Sequence, residues 1–309
     1  MKLNLMYSYW CEERCSYCYL GNKRDNRVMI SSATLENVLK TLKDNITVVE
    51  IDGGEISALR DFQDYLRSIV GVLKTRCDNI RLTTNLYNPE IINLADELGI
   101  KLYVSYNSEQ TSHEDTMMKV MSLPRFKRKN LGVQVVVLPS ILESDINQLL
   151  YDISAIGSRV RFVQYQAFIK EQGQGLLIPN ANRQFSEFML KVFDLCQEND
   201  YGLVVENFEE YMMDNRERCT IDNNVTINPY GKFLAPRFTR GCGEWIEYNT
   251  FADYSKAWAE EMSWYNRLCR NCDYFTECYA RFLQPWFRGD ECCGLKPLVE
   301  FFQKRKGIF

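Results

Sequence analysis

Cys11, Cys15 and Cys18 form a C-x3-C-x2-C run directly after an apolar, strand-like opening, Lys2-Leu-Asn-Leu-Met-Tyr7. Three thiolates this close can hold one metal centre. A [4Fe–4S] cube has four irons, so three cysteines on one loop ligate three corners and leave the fourth iron open to a small molecule. Two plainer readings use the same residues: a zinc site lacking one ligand and, in an oxidised chain, disulfide partners.

Such a loop needs a frame, and the sequence supplies alternating elements. Ser31-Ser32 caps a predicted helix through Lys43, with Leu35, Val38, Leu39 and Leu42 on one face. Thr47-Val-Val-Glu-Ile51 reads as a buried strand that runs into Gly53-Gly54-Glu55, where paired glycines permit close backbone approach or a tight turn. Helices are expected near 59–73, 89–98, 114–121 and 145–156, and strands at 80–83, 101–105, 133–138 and 159–165. This alternation predicts six parallel β/α units. Ligands in such folds bind at the strands' C-terminal ends, where Cys11–Cys18, Gly53–Glu55, Asn85, Ser105 and Gln164 all fall. Residues 170–182 read as a loop, 183–198 as a helix and 202–205 as a strand.

The cysteine triplet, with the aromatic Tyr17 before its last member, resembles the signature of the radical S-adenosylmethionine (SAM) superfamily. Gly53-Gly54-Glu55 resembles that family's Gly-Gly-Glu-Pro motif, with Ile56 in place of Pro. Thr84-Asn85-Leu86 resembles its Thr-Asn-Gly, with Leu86 in place of Gly, and Ser105-Tyr-Asn107 its Ser-x-Asp stretch. The resemblance implies a partial (β/α)6 TIM-like barrel of α/β class. It implies a [4Fe–4S] cluster on Cys11, Cys15 and Cys18, and SAM contacts from Tyr17, Gly53, Gly54, Glu55, Thr84, Asn85, Ser105, Asn107 and Gln164. In that family an electron from the cluster cleaves SAM to methionine and a 5′-deoxyadenosyl radical, which takes a hydrogen atom from the substrate.

Seven of the twelve cysteines follow residue 218: Cys219, Cys242, Cys269, Cys272, Cys278, Cys292 and Cys293. Cys269-x2-Cys272-x5-Cys278 is a tight thiolate array that metal itself can fold, with zinc as the plain alternative. The segment resembles the SPASM domain, a C-terminal extension with auxiliary [4Fe–4S] clusters, or its shorter twitch version. Asn228-Pro-Tyr-Gly231 matches the pattern's turn, but Pro236 and Phe282 stand where two thiolates are expected. Cys242 and the Cys292-Cys293 doublet are the candidates to replace them. The resemblance thus divides the chain into a core at 1–207 and a smaller cysteine-rich SPASM/twitch-like domain at 208–309, with one or two auxiliary clusters. Cys77 and Cys196 read as small apolar residues in helices, and His113 as a helix-start residue.

The chain has 309 residues, 46% hydrophobic, with a formal net charge of −4. Its only basic knots are Arg125–Lys129 and Lys304–Lys306, a poor basis for nucleic-acid binding. No apolar run reaches the ~20 residues of a membrane span, no signal-peptide core precedes Cys11, and a cysteine-rich leaderless chain is expected to be cytoplasmic. Proteins of the resembled architecture most often modify ribosomally made peptides by crosslinking, epimerisation or excision, including tyramine-excising spliceases. A precursor peptide is therefore the expected substrate. A flavodoxin- or ferredoxin-type electron donor is expected, and a separate leader-peptide-binding protein, since Cys11 leaves no room for a preceding binding domain. The alternatives are a twitch-type dehydrogenase of a small alcohol or sugar, and a non-catalytic iron–sulfur or zinc scaffold.

Overall fold

A computed structural model describes residues 1–15, 18, 20–107, 113–164, 181–208, 224–237, 244–269, 294 and 296–305. Six strands, β1 (Lys2–Ser8), β2 (Val48–Gly53), β3 (Ile80–Thr84), β4 (Lys101–Tyr106), β5 (Gly132–Val137) and β6 (Arg159–Gln164), pair in sequence order, all parallel. The helices between them are α1 (Ser32–Thr41), α2 (Phe62–Lys74), α3 (Glu90–Leu98), α4 (His113–Ser122), α5 (Arg125–Arg128), α6 (Pro139–Leu142) and α7 (Ile146–Ile156). After β6 come α8 (Ala181–Glu198) and a short parallel strand β7 (Val204–Val205) on the β6 edge.

Strand alternation sorts the side chains into two faces. Leu3, Leu5, Val49, Ile51, Leu82, Val104, Val133, Val135 and Val160 are almost wholly buried and join the helices' apolar faces in one core. Helix ends are set locally. Ser31 caps α1 by accepting from Thr34 N, and Asp145 caps α7 by accepting from Asn147 N and Gln148 N.

The other face carries charge. Glu50 of β2 pairs with Lys2 of β1 at 2.6 Å, with Arg81 of β3 at 3.7 Å and with Arg161 of β6. Glu206, past β7, accepts from Tyr103 of β4 at 2.6 Å and faces Arg81 and Arg159. In a flat sheet β2 and β6 would lie roughly 19 Å apart, four strand spacings, beyond any arginine's reach. The Glu50–Arg161 pair therefore requires the sheet to roll up with this face inward. The α/β partial barrel expected from the sequence is thus present.

The chain beyond residue 207 adds to the same sheet. β8 (Asn224–Ile227) pairs parallel with β1, and β9 (Phe233–Arg237) and β10 (Glu244–Tyr248) follow antiparallel, so ten strands run β10-β9-β8-β1 through β7. The turn Asn228–Gly231 is as the sequence indicates: Gly231, at φ 75°, donates to Asn228 O at 2.9 Å. Tyr230 of this turn accepts from Asn26 at 2.8 Å and packs near Tyr9, just past β1. Two helices not expected from the sequence, α9 (Phe251–Cys269) and α10 (Lys296–Gln303), complete the described chain. Phe251, Tyr254 and Trp258 of α9 form an aromatic stripe that meets Phe233 of β9.

Two single residues complete the comparison with expectation. Cys77 lies in the turn after α2 rather than in a helix, because α2 ends at Lys74 and Cys77 N closes the turn on Leu73 O. It is buried, as is expected of a small apolar residue. His113 begins α4, edge-on to Tyr106.

Glu50 carries a prediction. Burial pushes its carboxyl up, but Arg161 and Lys2 outweigh this and hold it well below the usual carboxylate range. A depressed folded-state pKa contributes stability above the unfolded value near 4.3 that is lost as pH falls below it. Glu50→Gln leaves Lys2, Arg81 and Arg161 facing one another and is expected to cost on the order of 3 kcal/mol at pH 7. Urea melts between pH 3 and 7 should show the wild-type chain losing its advantage over Glu50→Gln toward pH 3.

Candidate active site

Apart from Cys269, the described candidate residues lie at or just past the C-terminal ends of parallel strands. The cysteine loop follows β1, Gly53–Glu55 ends β2, Thr84 and Asn85 end β3, Ser105 and Asn107 end β4, and Gln164 ends β6. Tyr17, Cys219, Cys242, Cys272, Cys278, Cys292 and Cys293 lie outside the described residues, and Cys269 is described only as the last residue of α9.

The paired glycines meet another backbone rather than open space. Gly54 donates to Ser8 O at 2.9 Å and Glu55 N to Trp10 O at 3.3 Å, which staples the β2 turn to the residues entering the cysteine loop. A Cβ on Gly54 would lie 1.7 Å from Trp10 O, and one on Gly53 2.4 Å from Ser8 O. Gly53 also sits at φ 124°, a conformation that side chains rarely adopt. Ser8 stiffens the same corner, with its hydroxyl donating to Val28 O and accepting from Trp10 N.

Past Trp10 the loop is held by its own neighbours. Cys11 N donates to Arg24 O at 3.1 Å, and Arg14 reaches Cys11 O at 3.3 Å. The Arg24 guanidinium donates to Glu13 O and Cys15 O at 3.3 and 3.4 Å. Cys18 N turns back to Cys15 O at 3.2 Å. Cys11, Cys15 and Cys18 are reduced and not joined in a disulfide, Cys11 buried and the others half-buried.

Burial pushes the Cys11 thiol up to about 12, with the nearby Glu55 and the other two cysteines adding to the rise. A lone thiolate is therefore costly here, and bound iron is the kind of positive charge that offsets the cost. Among the described residues no three His, Cys, Asp or Glu side chains converge as ligands of one metal ion. A cube asks something different, since each thiolate takes a separate iron. Three reduced cysteines on a loop whose carbonyls are tied back by Arg14 and Arg24 fit that demand.

Glu55 is 2% exposed, and its carboxylate is fully engaged. It accepts from Ser57 N at 3.0 Å, Ser57 Oγ at 2.6 Å, Thr84 Oγ1 at 2.6 Å and Asn85 N at 2.6 Å. Burial raises its pKa while these hydrogen bonds pull the other way. The carboxylate thus ties the β2 and β3 ends together. Leu86, where the resembled motif has glycine, still takes the left-handed conformation at φ 54° and is wholly buried. That backbone costs a leucine about 1–2 kcal/mol.

Sequence reasoning missed Ser8, Glu13, Arg24 and Tyr87 as parts of this site. Glu13 and Arg24 look like ordinary surface charges in a sequence. Only Leu86, standing at a glycine position, signals that the turn carrying Tyr87 is unusual.

No protein-family model matches the chain, and no curated protein matches it. Solved structures do. SuiB of Streptococcus suis bound to S-adenosylmethionine superposes with a TM-score of 0.67 at 16% identity, over 94% of this chain and 76% of that one. The same protein bound to precursor peptide SuiA gives 0.55 at 15% identity, over 75% of this chain and 58% of that one. Native anSMEcpe with bound AdoMet and the Cp18Cys peptide gives 0.65 at 12% identity, over 98% and 95%. At such identities the likeness is one of fold, and it extends over nearly the whole chain.

Two alanine substitutions test the glycine staple. Gly54→Ala forces a Cβ into the Trp10 carbonyl and is expected to cost at least about 1–3 kcal/mol in urea melts. Gly71→Ala, in the interior of α2 with nothing within 4 Å of its added Cβ, should instead gain about 0.5–1 kcal/mol.

Proposed function

We propose that the protein is a radical SAM enzyme that modifies a peptide. The observation that carries this is the cysteine loop, three reduced cysteines stapled by Gly54 at the C-terminal mouth of a parallel barrel. The shared fold adds support, since S-adenosylmethionine is bound in SuiB and AdoMet with a peptide in anSMEcpe.

In this reading Cys11, Cys15 and Cys18 each hold one iron of a [4Fe–4S] cluster. When bound, the cluster supplies the electron that splits SAM into methionine and a 5′-deoxyadenosyl radical. The chain's own work is placement. The Gly53–Glu55 turn, Thr84, Asn85, Ser105, Asn107, Gln164 and Tyr17 line the cofactor. Glu55 contributes by fixing the β2 and β3 turns rather than by reaching the ligand, because its oxygens already accept four hydrogen bonds.

Residues 208–309 carry the auxiliary function. Cys219, Cys242, Cys269, Cys272, Cys278, Cys292 and Cys293 hold one or two further [4Fe–4S] clusters in a SPASM/twitch-like segment. The boundary at 207/208 is chemical, because strands on both sides of it share one sheet. A precursor peptide is the substrate. A leader-binding protein presents it and a flavodoxin- or ferredoxin-type donor delivers the electron. No helix of the described residues is long and apolar enough to cross a membrane, and a reducing cytoplasm suits so many thiols.

The test is anaerobic. The full chain is reconstituted with iron and sulfide, its iron is counted, and SAM and a reductant are added. 5′-Deoxyadenosine should appear by mass spectrometry and fall to background in Cys15→Ala. About twelve irons per chain indicate two auxiliary clusters and about eight indicate one. An iron-loaded chain that cleaves no SAM, or one that takes up zinc instead of iron, overturns the proposal.

A further inference from the structure

Glu13 stands midway between Cys11 and Cys15, yet it is 1% exposed, whereas its neighbour Glu12 is exposed. Burying a carboxylate is costly unless hydrogen bonds receive it. Tyr87 does so, donating its hydroxyl to Glu13 Oε1 at 2.9 Å across 74 residues of sequence. Burial, and then the Glu13 carboxylate, hold the Tyr87 phenol protonated and so keep it a donor.

Tyr87 is itself firmly placed. It follows Leu86, whose left-handed backbone sets the direction of the chain after β3. On the near side Asn85 N is held by Glu55 at 2.6 Å. On the far side one face of α4 grips the same turn, with Thr116 donating to Asn85 O at 2.7 Å and Lys119 to Tyr87 O at 3.3 Å. Arg24 approaches the cysteine loop independently and binds the carbonyls of Glu13 and Cys15. The loop is thus fixed through a side chain and through its backbone. An apolar residue at position 13 would fill the space but would not set the register of Cys11 against Cys15, because apolar contacts are not directional.

We propose that Glu13 and Tyr87 form a positioning tether that holds the cysteine loop in its observed shape in the metal-free chain and slows loss of the cluster once it is bound. The second half rests on reading Cys11, Cys15 and Cys18 as cluster ligands; the first does not. Residues that orient metal ligands without touching the metal change affinity by on the order of ten- to a hundredfold when altered.

Three variants of the full chain test the tether: Tyr87→Phe, Glu13→Leu and Glu13→Gln, the last keeping an oxygen that can accept from Tyr87. In the iron-free chain, amide hydrogen exchange over residues 11–15 should speed up in Tyr87→Phe and Glu13→Leu, with β1 and β2 unchanged, and stay at the wild-type rate in Glu13→Gln. In the reconstituted chain, iron release to a chelator should accelerate on the order of tenfold or more in the first two variants and not in the third. Adding Tyr87→Phe to Glu13→Leu should change nothing beyond Glu13→Leu alone, since the Tyr87 bond is already lost there. Wild-type exchange and release in Tyr87→Phe would overturn the tether, as would a Glu13→Gln chain as impaired as Glu13→Leu. If Glu13→Leu fails to fold, Tyr87→Phe decides alone, because it keeps the ring. A wild-type chain that binds no iron sinks the cluster reading while the exchange arm still decides the tether.

Discussion

Two peptide groups, at Trp10 and Gly54, approach so closely that no side chain fits between them, and the candidate site depends on that contact. It brings the end of β2 against the start of the cysteine loop. Once this is fixed, Glu55 lies in reach of Thr84 and Asn85, and the β3 turn in reach of Glu13. Each link is a hydrogen bond worth about 1 kcal/mol net, or somewhat more where a carboxylate accepts. Their combined effect is geometric: the ends of three neighbouring strands are set relative to one another by bonds that tolerate little displacement.

The barrel beneath is closed by charge. A rolled sheet of six parallel strands encloses an interior that in other barrels is filled by layers of branched apolar side chains. Here Glu50 and Glu206 draw in residues from β1, β3, β4 and β6. Two carboxylates among four cations form a lattice whose pairs reach across the barrel. Such pairs are directional where apolar contacts are not, and they specify one curvature of the sheet at some cost in desolvation.

The parallel core was legible because its signal is local and repeated. Alternation marked β1 to β6 to within one or two residues at each end, and Ser31 marked the start of α1. Alternation does not say which face meets water. Glu50, Arg81 and Arg161 look like solvent-facing strand residues, and only the closure of the sheet turns them inward. The C-terminal part was less legible, since strands and helices no longer alternate there and β9 and β10 pair antiparallel. The Phe251, Tyr254 and Trp258 stripe of α9 was present at helical spacing. Glu13 and Tyr87 could not be paired from sequence, since neither type nor spacing links residues so far apart.

β8 lies beside β1, and this sets the order in which the molecule can be finished. The strand that opens the chain has β2 on one side and a strand from residues 224–227 on the other. During synthesis β1 can dock on β2 early, but its second edge stays open until residues 224–227 have been made. The cysteine loop emerges just after β1 and reaches its completed surroundings only after β8. Its thiols are then chemically available while the residues between β1 and β8 are made, so any metal they take has either to wait for β8 or to meet an unfinished barrel.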